Sequence, residues 1–278
     1  MNWRKWLVIP TLVVLTACNS STQQGATGIT RKQLLLLPSA QVDAMALQSY
    51  RGELDQAKQK GALNTDKANL ERIRRIGDRL VPQTAVFRPD ALRWSWEVNL
   101  ETRNDLNAYC APGGKIMFFT GIIDRLKLND DEIAAIMGHE IAHALREHGR
   151  ERISQAYAQQ AGMTLLAVLT NMDSRKAALL QTATTLGLTL PHSRGQESEA
   201  DVMGVELMAR AGYDPRASIS LWQKMGAASK GAPPAFLSTH PSGAQRIDEL
   251  QGQMSVVLPL YEAARAKPTR VTPVIPRT

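Results

Sequence analysis

Cysteine is almost absent from this chain. Of 278 residues only Cys18 and Cys110 carry a thiol. At most one pair can form, which excludes a disulfide-built scaffold. Long apolar runs are lacking as well. Trp6 to Leu15 and Ala161 to Leu169 fall well short of the roughly 20 residues that a membrane-crossing helix needs. Acidic residues are missing after Glu262, where Arg265, Lys267, Arg270 and Arg277 stand unbalanced. The formal charge of +7 is therefore uneven. Without those four residues and Arg4 and Lys5, the body carries +1, and a nucleic-acid-binding face is not indicated. The basic, Pro-containing stretch 263–278 reads as a solvated tail. No internal repeat is present.

What is present begins with a leader. Asn2-Trp3-Arg4-Lys5 is a polar, basic start, and Trp6 to Leu15 has the length of a signal-peptide core. Leu15-Thr16-Ala17-Cys18 resembles the bacterial lipobox. That resemblance implies a signal peptide over 1–17, cleavage before Cys18 and lipid attachment to it. Asn19 in the next position implies the outer membrane. Residues 18–30 are small and polar and read as a flexible tether. With Cys18 acylated, Cys110 has no intrachain partner and reads as a small buried hydrophobe.

The body, 31–262, reads as α+β, mostly helical with a small β-sheet. Helices are expected over about 41–60 and 66–80, the second with an apolar stripe of Leu70, Ile73, Ile76 and Leu80. A half-buried strand is expected from Leu92 to Leu100, with Trp94 and Trp96 in the core. Two more strands, Asn107 to Cys110 and Lys115 to Phe119, flank the turn Pro112-Gly113-Gly114. Thr120 to Leu128 reads as a short helix. Asn129, with Glu132 three residues on, marks the start of a longer helix running to about His148. Its buried face is expected to carry Ile133, Ile136, Met137, Ile141, Ala144 and Leu145. Further helices are expected within 151–188 and at about 196–211, 215–229 and 242–254.

The longer helix carries His139-Glu140-Ile141-Ala142-His143. Imidazoles at i and i+4 project from one face and can reach one metal ion, and zinc accepts them while keeping room for water. Glu140 stands where it can take a proton from that water. This H-E-x-x-H pattern is that of a metal-dependent peptidase. A third ligand must come from elsewhere. In Gln196-Glu197-Ser198-Glu199-Ala200-Asp201, Glu197 and Asp201 share a helix face and Glu199 points away. Spacing favours Glu197 as ligand and Asp201 as hydrogen-bond acceptor for a ligand histidine. An acidic helix start near the dipole is the competing reading.

Taken together, His139-Glu140-x-x-His143, Ser193-Arg194, Glu197-x-x-x-Asp201, His240-Pro241 and Arg246 resemble the CAAX prenyl endopeptidase and HtpX family of zinc peptidases, metallopeptidase family 48. The stretch 107–121 is also similar to that family's segment ahead of the active helix. The resemblance covers about 90–255, and the leader points to the family's small lipid-anchored periplasmic branch. It implies a zincin-like fold with one Zn2+ held by His139, His143 and Glu197. It further implies Glu140 as general base, with His240 and Arg246 polarising the scissile carbonyl. His240 has a second expected use, as a latch on the metal. Substrate is expected to add as an extended strand beside Asn107, Ala108, Tyr109 and Gly114. The implied substrates are unfolded or misassembled envelope proteins, with outer-membrane assembly machinery as a further partner. A non-proteolytic chaperone or assembly factor with a structural metal is the reading from another class. His148 and His192 are expected to pack or to line the cleft.

Overall fold

The computed structural model describes residues 18–169, 192–228, 235–240, 244–266 and 272–277. In chain order these form β1 (Cys18–Asn19), β2 (Gln33–Leu34), α1 (Ser39–Gln59), α2 (Lys67–Leu80), β3 (Glu97–Glu101), β4 (Ala108–Ala111) and β5 (Lys115–Phe119). The helices α3 (Thr120–Arg125), α4 (Asp130–Leu145), α5 (His148–Leu169), α6 (Arg194–Arg210), α7 (Ala217–Ala228), α8 (Ala235–Thr239) and α9 (Ala244–Ala266) follow. The fold is mostly helical with a small sheet beside the helix that carries His139 to His143, as expected. The expected helix break near Asn171 lies outside the described residues.

Asn129 starts α4 as its composition predicts. Its side chain accepts from the backbone N–H of Glu132 at 2.9 Å, and Glu132 accepts from the N–H of Asn129 at 3.0 Å. All residues from Glu132 to Leu145 are buried, not one face only. The helix is central, packed by α6, α7, α2 and β4. Such a helix needs apolar and small residues all round, which is why Ala134, Ala135, Gly138 and Ala142 complete it.

In the main sheet, β5 lies between β3, to which it is parallel, and β4, to which it is antiparallel. Val98, Ile116 and Cys110 stand in register across the three strands. All five residues of β5 are buried. On the β4 side the sheet has an edge, and that edge faces α4.

Four expectations are corrected. The strand predicted from Leu92 begins only at Glu97, and Pro89–Arg93 is a 3-10 turn. Proline at the first turn position sets it, and the Trp96 indole N–H bonds back to the carbonyl of Ala91 at 2.8 Å. Leu92 is half exposed, and Trp94 stacks on Trp96 at 5.5 Å under the Arg88 guanidinium. Second, α4 stops at Leu145 and not at His148. Arg146 caps it, and Glu147 takes a φ of 48°, which turns His148 back toward the helix it has left.

Third, the segment expected to be a flexible tether is a strap bound to the body. Ser21 Oγ donates to the carbonyl of Leu145 at 3.0 Å, and the N–H groups of Ala26 and Thr27 donate to Glu206 at 2.9 and 2.8 Å. Its small polar residues answer carbonyls left open at the end of α4. Fourth, the tail is not simply solvated. The N–H groups of Val274 and Ile275 donate to Asp78 at 2.8 and 2.9 Å, and Ile275 is buried against Gly77 and Val98.

Glu132 also ties α4 to α7, accepting from Lys224 at 2.7 Å and Ser220 at 2.8 Å. Burial pushes its carboxyl up, but the bonds from Lys224, the Asn129 N–H and Ser220 outweigh that, and the net direction is downward. A carboxyl depressed in the folded state adds stability above its unfolded value, roughly pH 4.3, and loses it as pH falls through the lower folded value. Glu132→Gln is therefore expected to be less stable than the wild type in urea at pH 7, with the gap closing at strongly acid pH. An unchanged gap after acidification rules this out.

Candidate metal centre

His139 and His143 stand one turn apart on α4, and their Nε2 atoms are 3.0 Å from each other. Glu197 comes from the first turn of α6. That helix starts where the sequence pattern puts it, with Ser193 as cap. Ser193 Oγ accepts from the N–H of Gln196, and the Gln196 side chain accepts in return. The two helices meet backbone to backbone at Gly138 and Gly204. A Cβ on Gly204 would stand 2.7 Å from the nitrogen of His139, and one on Gly138 would stand 2.8 Å from the oxygen of Gly204. This contact puts Glu197 Oε1 3.4 Å from His143 Nε2 and Oε2 3.6 Å from His139 Nε2.

The carboxylate-to-imidazole separations suit zinc, and the two Nε2 atoms at 3.0 Å stand slightly closer. Bonds of about 2.0–2.2 Å in a tetrahedral shell put ligand atoms roughly 3.3–3.6 Å apart. His240 Nδ1 lies 3.3 Å from His139 Nε2 and 3.0 Å from Glu197 Oε1, in the fourth corner. All four side chains are buried. Two imidazoles and a carboxylate pointing lone pairs into one dry space have no mutual use without a cation. Burial holds His143 far below its ordinary value, so its ring is neutral. Burial also works to raise Glu197, but the histidines that face it outweigh burial and hold it far below the usual carboxylate range.

Asp201 Oδ1 lies 3.0 Å from His139 Nδ1. A carboxylate only accepts, so His139 keeps its proton on Nδ1 and turns the lone pair of Nε2 inward. Arg246 Nε and Nη2 each lie 2.6 Å from Asp201, and its Nη1 lies 2.7 Å from Glu197. The guanidinium sits 3.6 Å over the Trp222 ring. All three of its nitrogens engage these carboxylates, so it clamps the ligand set.

Glu140 is buried beside the cluster, and its Oε1 has no hydrogen-bond partner. His240 Nε2 is 3.5 Å away. Burial pushes the Glu140 carboxyl up, partly offset by the nearby histidines and the backbone N–H of Cys110. That N–H belongs to β4, so the edge strand and the acid are neighbours. Along this edge the carbonyl of Leu106 accepts from the N–H of Phe236 at 3.0 Å, and the carbonyl of Asn107 turns the other way, to Phe119. Alternation gives Ala108 the outward position between Leu106 and Cys110. Tyr109 faces α1, with its hydroxyl on Glu53, and Gly114 lies in the β4–β5 turn with Trp96 against it. Cys110 is a buried free thiol, as expected.

Sequence reasoning missed Arg146 and Arg152 and did not foresee how His148 and Glu199 pair. His148, Glu199 and Arg146 lie behind His143. The His192 ring lies tilted against that of His143 at 4.0 Å, and burial drives its pKa down to about 2. Arg152 acts electrostatically on Glu197 and Glu140. Gly138 and Gly204 left the one usable signal, as lone glycines inside otherwise strong helical runs.

The model of peptidase family M48 matches residues 67–254, which hold every residue of the cluster. The chain belongs to peptidase family M48. It is 38% identical over 180 residues to the mitochondrial metalloendopeptidase OMA1 of Arabidopsis thaliana, covering 64% of this chain and 36% of that protein. The corresponding protein of Schizosaccharomyces pombe is 37% identical over 158 residues, covering 56% and 46%. The β-barrel assembly-enhancing protease of Escherichia coli is 25% identical over 208 residues, covering 71% and 41%. The chain thus spans about a third to a half of the length of the curated relatives first compared. Among the described residues no helix is long and apolar enough to cross a membrane.

In this M48 chain, Gly204→Ala is expected to force α6 off α4. Overpacking of this kind costs about 1–3 kcal/mol. Unlike an ordinary core defect, it should also weaken zinc binding measured by chelator competition, because it separates Glu197 from the histidines. Wild-type zinc affinity in a destabilised variant would disprove the link.

Proposed function

We propose that this chain is a zinc-dependent endopeptidase that cuts extended segments of misfolded or damaged envelope proteins. The observation that carries the reading is Glu140. It is a buried carboxyl raised by its surroundings, without a hydrogen-bond partner on Oε1, next to a three-ligand set that fits zinc. A structural metal site has no need of such a group. A zinc ion held by His139, His143 and Glu197 supplies Lewis acidity to the peptide carbonyl and lowers the pKa of water. Glu140 accepts the proton of the attacking water on Oε1 and delivers it to the leaving amine. Asp201 and Arg246 keep His139 and Glu197 oriented.

Substrate would lie along β4, using the outward N–H and C=O of Ala108. This mode reads extended backbone more than side chains, which suits unfolded substrates. Leu106 already bonds Phe236 of α8, and His240 follows that helix. A strand adding to β4 therefore competes with α8, and His240 acts as the latch of the resting enzyme. The envelope location rests on the leader and on Cys18 as lipid anchor at the outer membrane. Likeness to a β-barrel assembly-enhancing protease adds to it and points toward assembly machinery as a partner. The lipoprotein branch of the family rests on the leader alone.

The decisive test is Glu140→Gln. It should retain zinc and lose casein cleavage by about 10²–10⁴-fold, the range of a missing acid–base group. Cleavage should also stop when a chelator strips the wild type. Unchanged proteolysis by the variant would refute the mechanism, and a wild type that binds unfolded protein without cutting it would establish the chaperone reading. His240→Ala is expected to keep zinc and cleave casein severalfold faster than the wild type, as the corner it fills is vacated. A fall in rate at full zinc occupancy would make His240 a participant in the reaction and not a latch.

A further inference from the structure

Behind the metal cluster lies a second buried polar network that the reaction does not use. His148 opens α5 just past the break at Arg146 and Glu147, and it is fully buried. Its Nδ1 is 2.8 Å from Nδ1 of His143, and its Nε2 is 3.0 Å from Oε2 of Glu199. Because a carboxylate only accepts, His148 carries its proton on Nε2 and presents a lone pair at Nδ1. His143 then donates its Nδ1–H, which leaves the lone pair of its Nε2 aimed at the metal cluster.

Glu199 is itself held from two sides. Arg146, fully buried, reaches it at 3.0 and 3.1 Å. Arg31 of the N-terminal strap reaches it at 2.6 Å, and also bonds Glu151 at 2.6 and 2.8 Å. The strap carbonyl of Arg31 accepts from Arg146 at 2.9 Å, and Ser20 and Thr22 accept from the same guanidinium. The two ligand histidines are thus supported in parallel. On one side run His139, Asp201 and Arg246. On the other run His143, His148, Glu199 and the arginines 146 and 31. Both carboxylates sit on α6, two and four residues after Glu197.

We infer that Glu199, acting through His148, is a positioning residue for His143, and that Arg31 brings the strap after Cys18 into the support of the metal site. This rests on the zinc reading above but not on proteolysis. Arg31 lies ahead of the stretch that the family model matches. His143, His148 and His192 also come close enough to suggest a second ion site. The geometry opposes that. Two ligands of one ion stand roughly 3.3 Å apart, whereas 2.8 Å between the Nδ1 atoms is a hydrogen bond, and the other nitrogen of His148 is on a carboxylate.

The experiment is zinc affinity by chelator competition on the full chain in detergent, with the visible spectrum of the Co2+ form as a second readout. Loss of an outer partner typically costs 10–100-fold in metal affinity. His148→Phe should lose about that much and change the cobalt bands. His148→Asn, whose Oδ1 can accept from His143, should retain most of the affinity, and Arg31→Ala should fall between them. Melting of the metal-free proteins checks that the fold persists. If His148→Phe unfolds, the asparagine and Arg31 variants carry the test, since the Arg31 side chain is 39% exposed. Wild-type affinity and spectrum in a folded His148→Phe, or in Arg31→Ala, overturns the respective part of the proposal. Two ions per wild-type chain falling to one in His148→Phe overturns it differently, by making His148 a ligand. A wild type that binds neither zinc nor cobalt defeats the metal reading itself.

Discussion

Backbone touches backbone where α4 crosses α6, and the metal cluster depends on that contact. Gly138 precedes the first ligand, and Gly204 comes seven residues, about two turns, after the third. With no Cβ on either, His139 and Glu197 face each other across a gap that side chains would widen. Interaxial distance follows the residues at the crossing, and any larger pair adds on the order of 1 Å. Ligand atoms now 3.4–3.6 Å apart would then no longer share a tetrahedral shell. The coordination geometry is therefore a property of the helix pair before it is a property of the ligands.

The other end of α4 is controlled by its termination. Had the helix continued to His148, as its composition suggests, that ring would have projected away from the ligand pair. Arg146 prevents this. Its guanidinium binds Glu199 and the strap, while its N–H closes the last turn of α4. The chain then turns at Glu147, in a backbone region that non-glycine residues enter only when their surroundings hold them there. One buried arginine thus fixes the helix end, the strap and the direction of His148 together. The same long-range bonding explains why the small polar stretch after Cys18, a linker by composition, is not a linker in the structure.

Local chemistry was readable and distant partnership was not. The Asn129 and Ser193 caps, the Lys115 to Phe119 strand and the His139–His143 pair are each settled within a few residues of chain. Asp201 was legible as well, because helical spacing alone puts it on the face of Glu197. Arg246 was recognised, but its partners were not. Nothing in its neighbours reveals that two carboxylates some 45 residues earlier will take up its nitrogens. Leu92 and Trp94 failed for a different reason. Alternation of apolar and polar residues describes an extended strand, but Pro89 and the indole bond to Ala91 favour a tight turn that the period-two pattern does not encode. Glu199 was set aside as a ligand, and its actual partners, His148 and Arg31, are 51 and 168 residues away.

Charge gives the last constraint on what the cluster holds. Glu140, Glu197 and Asp201 are buried within one small volume, faced by Arg246 and, through space, by Arg152. His143 is neutral there, while Asp201 favours the charged form of His139, so charges of both signs are packed into one buried space. An uncompensated buried charge costs several kcal/mol, and a protein avoids it by protonation or by taking up a cation. Protonation is the recourse of Glu140, which burial already pushes up. It is closed to Glu197, which the facing histidines hold low, and to Asp201, which Arg246 and His139 keep low. A divalent cation among His139, His143 and Glu197 would take the place of a proton on His139 and add positive charge beside Glu140.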